Sequence, residues 1–360
     1  MFEILRDYNH ERVIFGWDPS SNLKCIIAIH NTTLGPAAGG CRFWNYQSDD
    51  DALLDALKLS RAMTYKYAAA GVNLGGGKVV VIGDPYISGN EREALFRSLG
   101  RVINSLGGDY YTGQDVGVTL KDMEFIYSET PFVITLPEYM GGSGFISPAT
   151  AWGVFLSLKT CVELTFGTKD ISGLRIAVQG VGSVGNSLVE FAVKEGALVT
   201  VADINQDRIK EIVSKFPVTV VGVDEIFDVD CDVFSPCALG GILNSRNIQR
   251  LKCRVVAGAA NNQLASEECG KLLSERNILY APDFIINAGG AIYDSDRLFS
   301  GGFNKERANR KVEEIPETLK TVLKMTQQHN ILPQEAAYRH AEDRLKRIQN
   351  LRTFATQKKQ

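Results

Sequence analysis

Apolar and polar residues follow one pattern up to about residue 145 and another after it. In the first part the order is irregular. Residues 23–29 and 78–82 are short apolar runs rich in β-branched side chains and predict buried strands. Between them Leu53, Leu54, Leu57 and Met63 recur on one side of a predicted helix. Ser48 is placed to cap it, Asp49, Asp50 and Asp51 fill the first turn where the helix dipole favours anions, and an end is expected before Gly71. After Ser147-Pro148 a helix through residues 156–163 leads into β-rich runs at 175–178, 198–202, 232–234, 254–257 and 279–280. Helical patterns such as 186–195 and 267–276 alternate with them, which predicts a parallel sheet with crossover helices. Beyond Gly301-Gly302 two amphipathic helices are expected, the second opened by Pro333, packing back on the first part.

A chain of 360 residues is long enough for two domains that each bury a core, and a cleft between domains is a natural place for chemistry. The balance of 39 basic and 42 acidic residues, without a Lys/Arg block, argues against a nucleic-acid partner. No stretch reaches the roughly 18 apolar residues that would span a bilayer, and residues 1–9 lack a basic flank and apolar run. The expectation is a cytoplasmic protein with no membrane partner. The seven cysteines are scattered without a Cys-x-x-Cys pair, and no two of the four histidines have zinc-ligand spacing, so no metal is expected.

The string Gly180-Val-Gly182-Ser-Val-Gly185 follows a predicted strand and opens a predicted helix. In that context Gly180 permits a tight turn, Gly182 lets a pyrophosphate approach the helix N-terminus at Ser183 and Val184, and Gly185 lets helix and strand pack closely. The motif calls for an acid at the end of the next strand, and Asp203 stands 18 residues after Gly185. It can accept hydrogen bonds from adenosine ribose hydroxyls. Ile204 and Asn205 follow it and the nearest arginine is Arg208, so a 2′-phosphate should be repelled and NAD favoured over NADP. The competing reading is a structural glycine turn with Asp203 as a helix cap.

Upstream, Gly75-Gly76-Gly77-Lys78 runs into a predicted strand, the glycines removing bulk so that substrate and backbone can come close. Lys66 stands twelve residues earlier, at the end of a helix. Two lysines in one cleft can divide the work, one pairing with a substrate carboxylate and the other moving protons. Both can equally be ordinary solvated residues. Tyr110-Tyr-Thr-Gly113-Gln-Asp115-Val-Gly117 brings an aromatic stretch to a Gly-flanked acid, which is either a third member of the site or a turn cap.

These residues resemble the Glu/Leu/Phe/Val dehydrogenases over residues 29–348. The shared strings are Thr33-Leu-Gly-Pro-Ala-Ala-Gly-Gly-Cys-Arg42, Met63-Thr-Tyr-Lys66, Leu74-Gly-Gly-Gly-Lys78, Asp115-Val-Gly117, Cys231-Asp-Val-Phe-Ser-Pro-Cys-Ala238, Gly258-Ala-Ala-Asn-Asn262 and Ala281-Pro-Asp-Phe-Ile-Ile-Asn-Ala-Gly-Gly290. The resemblance implies NAD-dependent reversible oxidative deamination of an L-amino acid to a 2-oxo acid and ammonia. It implies that Lys66 binds the substrate carboxylate, Lys78 is the catalytic base, and Asp115 shuttles a proton at the amino group. It also implies that Gly40 lines the substrate cleft, Asn261 or Asn262 lies near the nicotinamide ribose or substrate, and Asn287 lies near the nicotinamide.

Leucine-type members usually carry Ala at Gly113 and Val at Ala291, and many members carry Leu at Ala38, so a widened side-chain pocket is expected. Phenylalanine or another large apolar amino acid then fits best; leucine or valine is the alternative, since a methyl or two shifts selectivity by only ~1–3 kcal/mol. A non-catalytic NAD-binding regulator is the rival from another class. The fold expected is α/β in two domains. One is an N-terminal α/β substrate domain at 1–147, joined by C-terminal helices at 326–360; the other is a Rossmann doubly wound NAD-binding domain at 148–325. Hinge closure between them and a homo-oligomer are expected.

Overall fold

The computed structural model describes residues 2–357, with side chains over 3–351. Contacts divide the described residues into two compact units: 2–145, 294–305 and 341–357, and 146–293 and 306–340.

The first unit is built on a five-stranded sheet of β1 (Arg12–Asp18), β2 (Leu23–Asn31), β3 (Ala37–Trp44), β4 (Gly75–Ile82) and β5 (Tyr110–Gln114). Their order is β1-β2-β4-β3-β5, antiparallel from β1 to β4 and parallel from β4 through β3 to β5. Strands β2 and β4 are central and covered on both faces, which is why they read as continuous apolar runs. One face packs Ile26, Ala28 and Val80 on the helix Asp49–Ala69 through Ala52, Leu53, Ala56 and Leu57. The other packs Leu23, Ile27, Phe43 and Val79 on Leu95, Phe96, Leu99, Met123 and Ile126 of the helices Gly89–Asn104 and Leu120–Tyr127.

Ser48 caps the helix Asp49–Ala69 as expected, its side chain accepting the Asp51 N–H. The glycines ahead of Lys78 serve packing rather than substrate access. A Cβ on Gly76 would lie 2.0 Å from Thr64 Oγ1, so its absence lets that helix settle directly on β4.

The second unit carries a fully parallel sheet of β6 (Arg175–Gln179), β7 (Leu198–Ala202), β8 (Val218–Val220), β9 (Val233–Pro236), β10 (Val255–Val256) and β11 (Leu279–Tyr280). The order β11-β10-β9-β6-β7-β8 is the doubly wound arrangement, with the topological switch point between β6 and β9.

The C-terminal region departs from the expected bounds. Three helices follow Gly302, at Lys305–Val312, Ile315–His329 and Pro333–Gln357, and residues 306–340 belong to the second unit. The reason is the apolar face Ile315, Leu319, Val322 and Leu323, which is buried, with Ile315 and Val312 seated over Gly153 of the helix Ser147–Phe166. The chain returns to the first unit only from residue 341, not 326, and residues 294–305 also belong to that first unit.

Beneath the sheet of the first unit two imidazoles meet edge to face at 4.9 Å: His10, bonded to Ser60 Oγ, and His30, bonded to Thr64 Oγ1. Burial above all lowers His10 to about 4 and His30 to about 3. The unfolded chain binds protons at these imidazoles below about pH 6.5 while the folded one does not, so stability is lost as pH falls from 6.5 towards 4. We expect the melting midpoint to drop by several degrees over that window and the slope to shrink in His30→Asn, read by scanning calorimetry.

Candidate active site

Lys78 sits in the middle of β4, 5% exposed, where an unpaired ammonium would be costly. Its partner is Asp115, the first residue after β5: Nζ donates to Oδ2 at 2.5 Å. Strand β3 runs between them, and Gly40 makes the contact possible, because a Cβ there would lie 2.7 Å from Asp115 Cβ and 3.3 Å from Lys78 Nζ.

Arg42, two residues on and therefore on the same face of β3, donates from Nε to the same Asp115 oxygen at 3.1 Å. It also donates to Asp55, which accepts the Tyr46 hydroxyl. Burial alone would raise the Asp115 carboxyl, but Lys78 and then Arg42 outweigh it and hold the group at about 2. The site therefore offers a buried ammonium beside a carboxylate that stays ionised at any working pH, an arrangement able to pass protons at a bound substrate. In the sequence Arg42 appears only within a family string and nothing marks Asp55; strand alternation from Gly40 is the available signal for Arg42.

Lys66 lies half-buried in the last turn of the helix Asp49–Ala69, two residues beyond Thr64, whose backbone and hydroxyl press on β4 at Gly76. Gly113 pairs with Gly40 across β3 and β5, but it opens no free space. Thr135 Oγ1 and Ile134 Cγ1 lie 2.7 and 3.0 Å from where its Cβ would be.

In the second unit Gly180 has φ +93°, and its N–H donates to Ala202 O. Gly185 comes so close to Gly180 that a Cβ would lie 2.0 Å from the Gly180 carbonyl. The helix Ser183–Lys194 starts at Gly182 with no side chain capping its first N–H groups, leaving the N-terminal turn at Ser183 and Val184 open to an anion. Asp203 accepts the Val181 N–H and the Asn205 N–H, each at 2.8 Å. Arg208 approaches it at 3.9 Å, and Ile204 is 81% exposed beside it. Asn287 donates to Asn261 Oδ1 and Ala259 O, while its own Oδ1 is buried without a partner. A glycine turn without Cβ bulk, an open helix N-terminus, an acid at the next strand end and an orphaned carboxamide oxygen all fit a dinucleotide.

Asn262 has φ +51° and lines a cavity of about 620 Å³ with Ser266, Lys271, Asp283 and Tyr338. Ala291 lies half-buried on the helix Gly289–Ser295. Among the described residues, no helix is long and apolar enough to cross a membrane.

Comparison with known proteins gives the family and the fold. Residues 10–132 match the Glu/Leu/Phe/Val dehydrogenase dimerisation domain, and residues 200–352 match Glutamate/Leucine/Phenylalanine/Valine dehydrogenase. Over 353 residues the chain is 47% identical to leucine dehydrogenase of Thermoactinomyces intermedius, covering 98% of this chain and 95% of that one. Over 350 residues it is 45% identical to phenylalanine dehydrogenase of Caldalkalibacillus thermarum, covering 96% and 94%. The crystal structure of L-tryptophan dehydrogenase from Nostoc punctiforme superposes with a TM-score of 0.81 at 40% identity, covering 96% and 99%. The chain is a dinucleotide-dependent oxidoreductase of the two-domain α/β type. It belongs to the Glu/Leu/Phe/Val dehydrogenase family and is an amino acid dehydrogenase, which sets aside the non-catalytic reading.

Removing the guanidinium in Arg42→Gln takes away one of the two charges that depress Asp115. We expect the Asp115 carboxyl to move up from about 2 towards the ordinary carboxylate range, read as its carboxyl shift in an NMR titration of the variant, with no new acid limb in kcat/KM above pH 6.

Proposed function

We propose that this dehydrogenase uses NAD to deaminate an L-amino acid with a large aromatic side chain to the 2-oxo acid and ammonia, and runs the reverse reaction. The observation that carries the chemistry is the Lys78–Asp115 pair at 2.5 Å beside Gly40. A dinucleotide bound there would supply the acceptor for the hydride of the substrate α-carbon. Lys66 pairs with the substrate carboxylate and fixes its orientation. Asp115, ionised, accepts a proton from the amino group as the α-carbon is oxidised to the imine. Lys78 acts as the free amine, having given up the ammonium proton before this step: it takes a proton from the water that adds to the imine carbon and returns it as ammonia leaves.

Gly180, Gly182, Gly185 and the first turn of the helix Ser183–Lys194 hold the pyrophosphate. Asp203 keeps lone pairs for the adenosine ribose hydroxyls after receiving its two backbone N–H groups, and Ile204 flanks the adenosine. A 2′-phosphate would face that carboxylate, and the charge of Arg208 is already paired with it, which favours NAD. Asn261 and Asn287 serve the nicotinamide end, with the orphaned Asn287 oxygen as acceptor.

The aromatic reading rests on small residues at Ala38 and Ala291 and on the likeness to phenylalanine and tryptophan dehydrogenases. Asn262 is assigned to the substrate side by family resemblance alone. A second reading, leucine, is favoured by the 47% identity to a leucine dehydrogenase. We also infer a homo-oligomer: Phe15 and Trp17 project from edge strand β1, 54% and 72% exposed, within the matched dimerisation domain.

The test is NADH formation at alkaline pH with L-Phe, L-Tyr, L-Trp, L-Leu, L-Ile, L-Val and L-Glu. The highest kcat/KM is expected with an aromatic substrate; preference for leucine or valine would retain the mechanism and refute the aromatic assignment. Lys78→Ala is expected to abolish turnover while NAD binding persists, because the dinucleotide turn belongs to the other unit. Turnover surviving within about tenfold, ~1.4 kcal/mol of barrier, would contradict the role of Lys78.

A further inference from the structure

Asp294 is one of the buried carboxylates of the first unit, with Asp122 and Asp296, and the proton chemistry above leaves it unused. It is 4% exposed, with Thr135 and Ser143 buried beside it. Thr135 Oγ1 donates to Oδ2, and Ser143 Oγ donates to Oδ1 at 2.5 Å. Burial raises the carboxyl to about 6, the two hydroxyls and Arg297 offsetting part of the rise. The groups around it are Tyr67 from the helix Asp49–Ala69 and Arg297 from the segment Asp296–Leu298, together with the two hydroxyls.

Thr135 is committed on its other side as well. Its Oγ1 accepts the backbone N–H of Gln114 at 3.0 Å, and Gln114 is the residue immediately before Asp115. The segment containing Thr135 runs parallel to β5: Phe132 O accepts the Thr112 N–H, and Ile134 N–H donates to Thr112 O. At the next amide along β5 a side-chain hydroxyl stands in for a ladder carbonyl. Gly113 makes this possible, since Thr135 Oγ1 comes within 2.7 Å of its missing Cβ. On the opposite edge Val116 O accepts the Phe43 N–H from β3. The backbone around Asp115 is therefore pinned one residue before and one residue after, and the first pin ends on Asp294.

We propose that Asp294 is a positioning residue for the Lys78–Asp115 pair, acting through the Thr135 hydroxyl and the Gln114 amide. An ionised Asp294 accepts from Thr135 and so orients that hydroxyl, leaving an oxygen lone pair aimed at the Gln114 N–H. Without the acceptor the hydroxyl is free to rotate, the end of β5 loosens, and Asp115 no longer holds its place against the ammonium. On this view Gly113 is small for the sake of the anchor rather than to enlarge a side-chain pocket. The inference rests on the proton-transfer role of Lys78 and Asp115.

The experiment compares Asp294→Ala with Asp294→Asn, and Thr135→Val with Thr135→Ser, in the full chain. The readouts are kcat, KM for NAD, KM for the best amino acid and the melting midpoint. Asn and Ser keep an acceptor and a hydroxyl and should hold kcat within about threefold. Ala and Val should lower kcat by about 10- to 100-fold, the range for losing a hydrogen bond to a charged group, with KM for NAD within about twofold. The proposal is overturned if folded Asp294→Ala or Thr135→Val keeps wild-type kcat. It is also overturned if the conservative variants lose as much as the truncations, with kcat and melting midpoint falling together. If Asp294→Ala does not fold, the Thr135 pair decides in the same way. Lys78→Ala separates the two layers: an active Lys78→Ala removes the underlying role, whereas a dead Lys78→Ala with unaffected Asp294 and Thr135 variants removes only this inference.

Discussion

An ammonium in the middle of a buried strand has to be matched by an anion at contact distance, and that requirement shapes the first unit. Lys78 meets Asp115 across an intervening strand that carries glycine at the crossing point. Breaking a buried pair of this kind by deleting one partner costs about 3–5 kcal/mol, since it leaves the other charge uncompensated. Arg42 adds a second cation to the same carboxylate oxygen and draws in Asp55 and Tyr46. The result is a carboxylate whose ionisation is fixed by its neighbours rather than by solvent.

Around that pair, small residues are used for close approach. Gly40 admits the ion pair, Gly76 admits the helix that ends near Lys66, and Gly113 admits the hydroxyl that anchors β5. The second unit applies the same device to a ligand: Gly180 and Gly185 bring strand and helix into contact, so that the helix N-terminus and Asp203 stand ready for a dinucleotide. Each unit thus spends its glycines where backbone or side-chain atoms must come closer than a Cβ allows.

The alternation of strands and helices after residue 145 was legible because parallel strands buried on both faces read as apolar runs of fixed spacing. Strands β1, β3, β5 and β8 were not. Ala37-Ala-Gly-Gly-Cys-Arg-Phe-Trp44 has little intrinsic β-propensity and is a strand because β4 and β5 flank it. Strand β8 is three residues long, too short for a periodic signal. The ownership of the C-terminal helices was missed for a similar reason, as an amphipathic face shows that a helix packs but not on what. Of the site, Lys78, Asp115, Gly40 and the dinucleotide turn were legible from motifs. Arg42 is marked only by strand alternation from Gly40, whereas Asp55, Thr135 and Asp294 act through contacts between distant segments, and spacing along the chain carries no trace of those.

The central claim is that the amine at position 78 does the proton chemistry. Its most direct test is chemical rescue of Lys78→Ala by small primary amines. NADH formation should return in proportion to free amine concentration and should vary with amine basicity. Absence of rescue by every amine that fits, in a folded variant that still binds NAD, would contradict a proton-transfer role for Lys78.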